Sequence, residues 1–210
     1  MESATVSPKS SRESEFQFVL AGRRRELAAL FAQIFARRNT FTWEVGAGHG
    51  HFLTAYAAAH PEELCIGIDI VGERIERALR KRDRAKLDNL EFIQAEARLF
   101  LEVLPPSIQI GRTFVLFPDP WPKVRQRKHR IMQTEFLRNL AAQSRDDARI
   151  HFRTDFFPYF DSVCATVARD PLWMEADEAW PFEFTTVFQS RAVAHRSLTL
   201  RRRRAADVHA

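Results

Sequence analysis

The feature that most constrains this chain is a repeated alternation. Short apolar runs rich in β-branched and aromatic residues recur, and a stretch with helical spacing follows each. The runs are FTWEV (41–45), LCIGIDI (64–70), LEFIQA (90–95), RTFVLF (112–117) and ARIHFRT (148–154). Helical stretches follow at 50–59, 72–86, 97–104, 133–143 and 158–169. Pro61 and the pair Pro105–Pro106 stop two of them. Strands separated by helices pair in parallel, because each crossover must return to the edge where the previous strand began. The chain is therefore read as α/β, with a seven-stranded, mostly parallel sheet and helices on both faces. FEFTTVF (182–188) and HRSLTL (195–200) are taken as the last two strands. An amphipathic helix precedes the sheet, with Leu27, Leu30, Phe31, Ile34 and Phe35 on one face.

In such a sheet, ligands bind beyond the carboxyl ends of the strands. Each of the first five strands carries a carboxylate at or near that end: Glu44, Asp69, Glu96, Asp119 and Asp155. Five acids along one edge are expected to mark a site.

The rest of the chain sets bounds. A length of 210 residues suits one domain, assigned to 21–200, with an extension at 1–20 and a basic tail at 201–210. The first fifteen residues hold five serines and no hydrophobic stretch, so disorder is expected and a signal peptide is not. No apolar run approaches the roughly 18 residues of a membrane span, and a cytoplasmic protein is expected. Cys65 and Cys164 lack partners at disulfide-framework or metal spacing and are read as buried thiols. No metal is expected, and the chain is read as a monomer or a homodimer. The net charge is +5, with arginines clustered at 23–25, 37–38 and 201–204 and seven Lys/Arg between Arg74 and Lys86. A polyanionic partner suits these clusters.

EVGAGHGHF places Gly46, Gly48 and Gly50 between a strand and a helix. A dinucleotide fingerprint needs GxGxxG, and here His51 stands where the third glycine would be. GxGxG with an acid two residues before it is the pattern of S-adenosylmethionine-dependent methyltransferases. In that setting Asp69 is placed for ribose hydroxyls and Glu96 for the adenine border. At the fourth strand end, Pro118, Pro120 and Pro122 hold Asp119 and Trp121 in a stiff extended loop. Five Lys/Arg follow within the eight residues 123–130. The acid is placed to meet a base, the tryptophan to stack or pack, and the cations to neutralise phosphates.

With EVGAGHG, GIDI, FPDPWPKVRQRKHR, RTD and TVFQSR in hand, the sequence resembles the bacterial tRNA (guanine-N7-)-methyltransferase family over roughly 40–200. The resemblance implies a Rossmann-like class I methyltransferase fold. It also implies transfer of a methyl group from S-adenosyl-L-methionine to N7 of a guanine in the tRNA variable loop. By the same resemblance Glu44, Asp69, Glu96 and Asp119 contact the cofactor together with Gly46, Gly48 and Gly50. Asp119 is also the catalytic residue. Lys123, Asp155, Thr186 and Gln189 bind the substrate. Glu96 and Gln189 depart from the family pattern, which has Asp and Glu there. A small-molecule methyltransferase and a tRNA-binding paralogue with altered target or no transfer are the rival readings. Arg201–Arg204 are expected to grip RNA.

Overall fold

In a computed structural model of the chain, residues 8–184 and 194–203 are described. The elements run α1 (Pro8–Ile34), β1 (Thr40–Val45), α2 (His51–Ala59), β2 (Cys65–Asp69), α3 (Gly72–Ala85), β3 (Leu90–Gln94) and α4 (Ala97–Val103). They continue with β4 (Gln109–Leu116), a 3-10 helix (Val124–His129), α5 (Thr134–Ala142), β5 (Ser144–Thr154), α6 (Phe157–Val167), β6 (Trp173–Glu175) and β7 (Arg196–Arg202).

The seven strands form one sheet in the order β3-β2-β1-β4-β5-β7-β6. The first five pair in parallel, with Val45 opposite both Ile68 and Val115 and Leu116 opposite Arg153. β7 is antiparallel to both β5 and β6. The sheet is thus mixed, and "mostly parallel" holds for its first five strands and not for the far edge. The reversal of order at β1 and β4 makes the crevice between their ends the topological switch point.

Helices cover both faces. On one face α1, α4, α5 and α6 pack over a core in which Phe31 meets Phe100 edge-on at 4.9 Å and Phe100 stacks on Trp43 at 5.0 Å. On the other, α2 and α3 cover Cys65, Phe92 and Phe114, with Phe52 edge-on to Phe114 at 4.8 Å.

Four expectations change. Helix α1 begins at Pro8, inside the stretch expected to be disordered, and a proline at a helix start loses no hydrogen bond. Residues 182–184 are not a strand. Phe182 instead packs edge-on to Phe52 and Tyr56 at 5.9 and 5.4 Å, and residues 185–193 lie outside the described residues. The seventh strand is the three-residue β6. Arg201 and Arg202 belong to β7 and not to a tail. Finally, Cys65 is buried, whereas Cys164 is only half-buried.

Candidate active site

The carboxyl ends of β3, β2, β1, β4 and β5 share one edge because these strands are parallel. Glu96, Asp69, the glycine loop, Asp119 and Asp155 follow them in that spatial order. The acids expected to mark a site thus line one edge.

The glycine loop is built by its own backbone. Gly46 and Ala47 both donate to the Ile68 carbonyl, at 2.9 and 2.8 Å, which ties the end of β1 to β2. Gly48 has a φ of 55°, and no atom lies within 4 Å of where a Cβ would stand, so its outer side faces open space. Gly50 differs. A Cβ there would meet Phe92 Cζ at 2.5 Å and the Ala78 Cβ at 2.8 Å, and its φ is 70°. Only glycine lets α2 start this close to α3 and β3.

Asp69 fixes the loop. Its Oδ2 accepts from the Gly48 amide at 3.0 Å, and its Oδ1 accepts from the Val71 amide at 2.9 Å. The Arg74 guanidinium lies 3.6 Å away. A carboxylate offers about four lone-pair sites, so it still has capacity for ligand hydroxyls.

Glu44 is buried in β1, and its Oε2 has no hydrogen-bond partner among the described residues. Burial raises its carboxyl to about 8. A hydrogen bond from the Leu53 backbone opposes this rise, and the nearby charge of Asp69 adds to it. Glu96 caps α4, accepting from the Leu99 amide at 3.3 Å, and is otherwise exposed.

Asp119 is exposed on the loop that leaves β4. Two aromatic residues bracket this loop with left-handed backbones, Phe117 at a φ of 49° and Trp121 at 42°. Such conformations cost about 1–3 kcal/mol each and persist only where the surroundings impose them. Phe117 is held at the strand end, where its amide donates to the Arg153 carbonyl at 2.7 Å. The Trp121 ring lies 5.3 Å from His129. Lys123 and Asp155 are exposed beside this loop and after β5 respectively. Thr186 and Gln189 lie outside the described residues.

The basic segments separate into distinct roles. Lys123, Arg125, Arg127 and Lys128 are exposed in and before the 3-10 helix, and none makes an ion pair with another described residue. Arg130, grouped with them by sequence, is buried. On α3, Arg77, Arg80 and Arg82 pair with Glu73, Glu76 and Glu91. Arg202 donates to the Ser144 carbonyl, and Arg203 donates to the Asp170 carbonyl at 3.3 Å. Because Arg201 pairs with Arg149, these arginines sit beside the starting half of β5, away from the acidic edge. Strand pairing places Arg201 and Arg202, expected to grip RNA, toward the opposite end of the sheet from the acidic edge, and Arg204 lies outside the described residues.

A cavity of about 450 Å³ also opens at that opposite end, lined by Arg37, Arg112, Arg149 and others. Its arginines Arg112 and Arg149 are paired with Glu63 and Glu178. His60, Glu62 and Glu63 are close enough to share an ion there. Glu63 Oε2 is already engaged, however, accepting from the hydroxyls of Thr42 and Tyr56 at 2.6 and 3.0 Å.

Sequence reasoning did not give two residues the roles that the structure shows for them. One is Arg130. The other is Arg153, whose guanidinium makes a two-pronged pair with Glu183 at 2.8 and 3.0 Å and stacks on Trp180 at 4.0 Å. It thereby anchors the segment leading to Thr186 and Gln189. Neither residue sits in a pattern that distinguishes an inward arginine from an outward one.

The sheet order and the glycine loop at the switch point define a class I methyltransferase fold. The solved structure titled 16S rRNA methyltransferase KamB matches with a TM-score of 0.61, at 23% identity over 83% of this chain and 93% of that one. The aminoglycoside resistance methyltransferase NpmB1 matches at 0.56, with 19% identity over 85% and 93%. Residues 38–195 match the family model described as "Putative methyltransferase", and the chain belongs to that methyltransferase family. Curated relatives named tRNA (guanine-N(7)-)-methyltransferase include one from Caulobacter vibrioides, 34% identical over 136 residues, 65% of this chain and 60% of that protein. Another, from Leifsonia xyli, is 31% identical over 152 residues, 72% and 65%. The match takes in 40% of the relative from Thermotoga maritima, at 33% identity over 60% of this chain. The resemblance read from the sequence is borne out.

Proposed function

We propose that this chain transfers a methyl group from S-adenosyl-L-methionine to N7 of a guanine in tRNA, in the variable loop. The observation that carries this reading is a juxtaposition. The glycine loop after β1 and the Asp119 loop after β4 leave neighbouring strand ends, and after Asp119 come Lys123, Arg125, Arg127 and Lys128, exposed and making no ion pair with another described residue. The names of the curated relatives support the same chemistry.

The residues at the switch point fit the cofactor. A buried carboxyl group with one oxygen unpartnered among the described residues, Glu44, suits a cationic ligand group. The Gly48 backbone faces open space and admits close approach. Asp69 retains acceptor capacity for ribose hydroxyls, and Glu96 borders the same edge. When bound, S-adenosylmethionine supplies an electrophilic methyl group on a sulfonium.

Guanine N7 attacks with an in-plane lone pair and loses no proton, so no general base is required. The chain's task is to align the base and to compensate the positive charge that arrives on it. Asp119 is assigned both roles, accepting from a guanine N–H and facing the developing charge. Asp155 is assigned a second acceptor role on the Watson–Crick edge, with Thr186 and Gln189 completing the pocket. Two acceptors favour guanine, whose N1–H and 2-amino group both donate on that edge, over adenine. Lys123, Arg125, Arg127 and Lys128 hold the flanking phosphates.

The test is to incubate the protein with methyl-labelled S-adenosylmethionine and bulk tRNA, digest the RNA, and identify the labelled nucleoside. 7-Methylguanosine from the variable loop is expected. Label on another position, or on a small molecule alone, would overturn the proposal.

A further inference from the structure

We infer that Arg130 is a positioning residue that holds the Asp119 loop in its working pose, and that it is not one of the RNA-gripping cations among which its sequence places it. The inference rests on the reading of Asp119 as a substrate contact.

The loop has few handles. Pro118, Pro120 and Pro122 have no N–H, so between 118 and 122 only Asp119 and Trp121 can donate from the backbone. Carbonyl oxygens are therefore the main points by which the fold can grip this stretch. Arg130 reaches two of them. Its Nε donates to the Pro120 carbonyl at 2.8 Å, and its Nη2 lies 3.5 Å from the Trp121 carbonyl. These carbonyls lie on either side of the Trp121 Cα, where the backbone turns left-handed. The other end of the loop is already held by the Phe117 amide on β5.

Arg130 is itself immobilised. Its guanidinium lies over the Tyr159 ring at 4.7 Å and the Phe156 ring at 5.9 Å. The Tyr159 hydroxyl accepts from the Met132 amide at 3.0 Å, and Gln133 Nε2 donates to the Arg130 carbonyl at 2.8 Å. Only 5% of Arg130 is exposed, and among the described residues no carboxylate pairs with it. Two of its five N–H groups turn to the loop carbonyls, and burial keeps the guanidinium from the surface where a phosphate would lie. A planar fork suits two carbonyls at a fixed separation, whereas an ammonium presents a single point of charge.

The test compares wild type, Arg130→Ala, Arg130→Lys and Arg125→Ala. Rates are measured in single turnover with saturating tRNA and cofactor, and tRNA affinity is measured across a salt series. Arg130→Ala is expected to lower the rate by roughly 100-fold, since small misplacement of a catalytic group has that effect. Its tRNA salt slope is expected to match wild type. Arg125→Ala is expected to flatten the slope. Added guanidinium ion is expected to restore part of the Arg130→Ala rate, and Arg130→Lys, which keeps the charge, is expected to remain folded yet slow.

Hydrogen exchange of the peptide spanning 117–130 gives a readout independent of activity. It is expected to speed up in Arg130→Ala and Arg130→Lys while the sheet stays protected. A wild-type rate in both variants, or a flattened salt slope with the rate intact, would overturn the inference. A wild-type protein that methylates no tRNA would instead sink the functional reading, and the exchange data would still decide whether Arg130 holds the loop.

Discussion

The Gly48 amide donates to Asp69 Oδ2 at 3.0 Å, so the acid at the end of β2 shapes the loop after β1 before any ligand arrives. The other oxygen takes the Val71 amide, so both hydrogen bonds need an acceptor. Asp69→Asn supplies one acceptor and turns an NH2 toward the second amide. The expected cost is about 1–3 kcal/mol of stability, read by urea denaturation of the ligand-free protein. Weaker S-adenosylmethionine binding should accompany it in calorimetry. Unchanged stability would mean that the loop holds its shape without Asp69.

Glu44 makes the ligand-free fold sensitive to pH. Burial holds its carboxyl at about 8, against 4.5 for an unperturbed glutamate. Between these values the unfolded chain releases the proton and the folded chain keeps it. The folded state therefore loses stability as pH rises from about 4.5 to 8, by at most about 1.4 kcal/mol per pH unit, and the loss levels off above 8. Glu44→Gln removes this titration. Its stability relative to wild type is expected to improve steadily from pH 5 to pH 8 in urea melts, and a pH-independent difference would count against the assignment. A cationic ligand group near this carboxyl favours the ionised form. Binding of S-adenosylmethionine near pH 7 should then release a proton, visible as a buffer-dependent binding enthalpy.

The parallel half of the fold is legible in the sequence because its strands are buried on both faces. β2 is buried at all five positions, and its sequence shows a continuous apolar run before Asp69. The far edge is not legible. β6 has three residues, too few to show a period of two. FEF at 182–184 has strand composition, but its phenylalanines are apolar because they pack on the α2 face. Positive charge has no direction in a sequence, so Arg130 and Arg125 look alike although one is buried and the other exposed. The acids at the strand ends were legible because the parallel topology alone brings them to one edge. The partners that fix them, such as Arg153 for the 183 segment, come from tertiary packing.

Asp119 is assigned the alignment of the base and the compensation of its charge, so its carboxylate should matter most in the chemical step. Asp119→Asn keeps the shape and removes the charge. Turnover with tRNA is expected to fall roughly 100-fold, in line with the loss of one preorganised electrostatic contact. The affinity for S-adenosylmethionine should fall much less. Steady-state kinetics with separate cofactor titrations distinguish the two effects. Wild-type turnover in the variant would remove Asp119 from the mechanism.

The basic segments should differ in their salt response. Lys123, Arg125, Arg127 and Lys128 are exposed, and no described carboxylate pairs with them, so each is free to release a counterion from a phosphate. Arg203 uses its guanidinium on the Asp170 carbonyl and its amide on the Leu172 carbonyl, at the starting end of β5. Arg125→Ala combined with Arg127→Ala should lower the slope of log affinity against log salt by about 1.5, at roughly 0.7–0.9 per phosphate contact. Arg203→Ala should leave that slope unchanged and instead lower stability by about 1 kcal/mol, through the lost hydrogen bond. Filter binding of tRNA over 50–300 mM salt, a range of about the order where such contacts are resolved, tests both arms. A flattened slope in Arg203→Ala would extend the RNA path around the far edge of the sheet. An unchanged slope in the double variant would remove the 3-10 helix from that path.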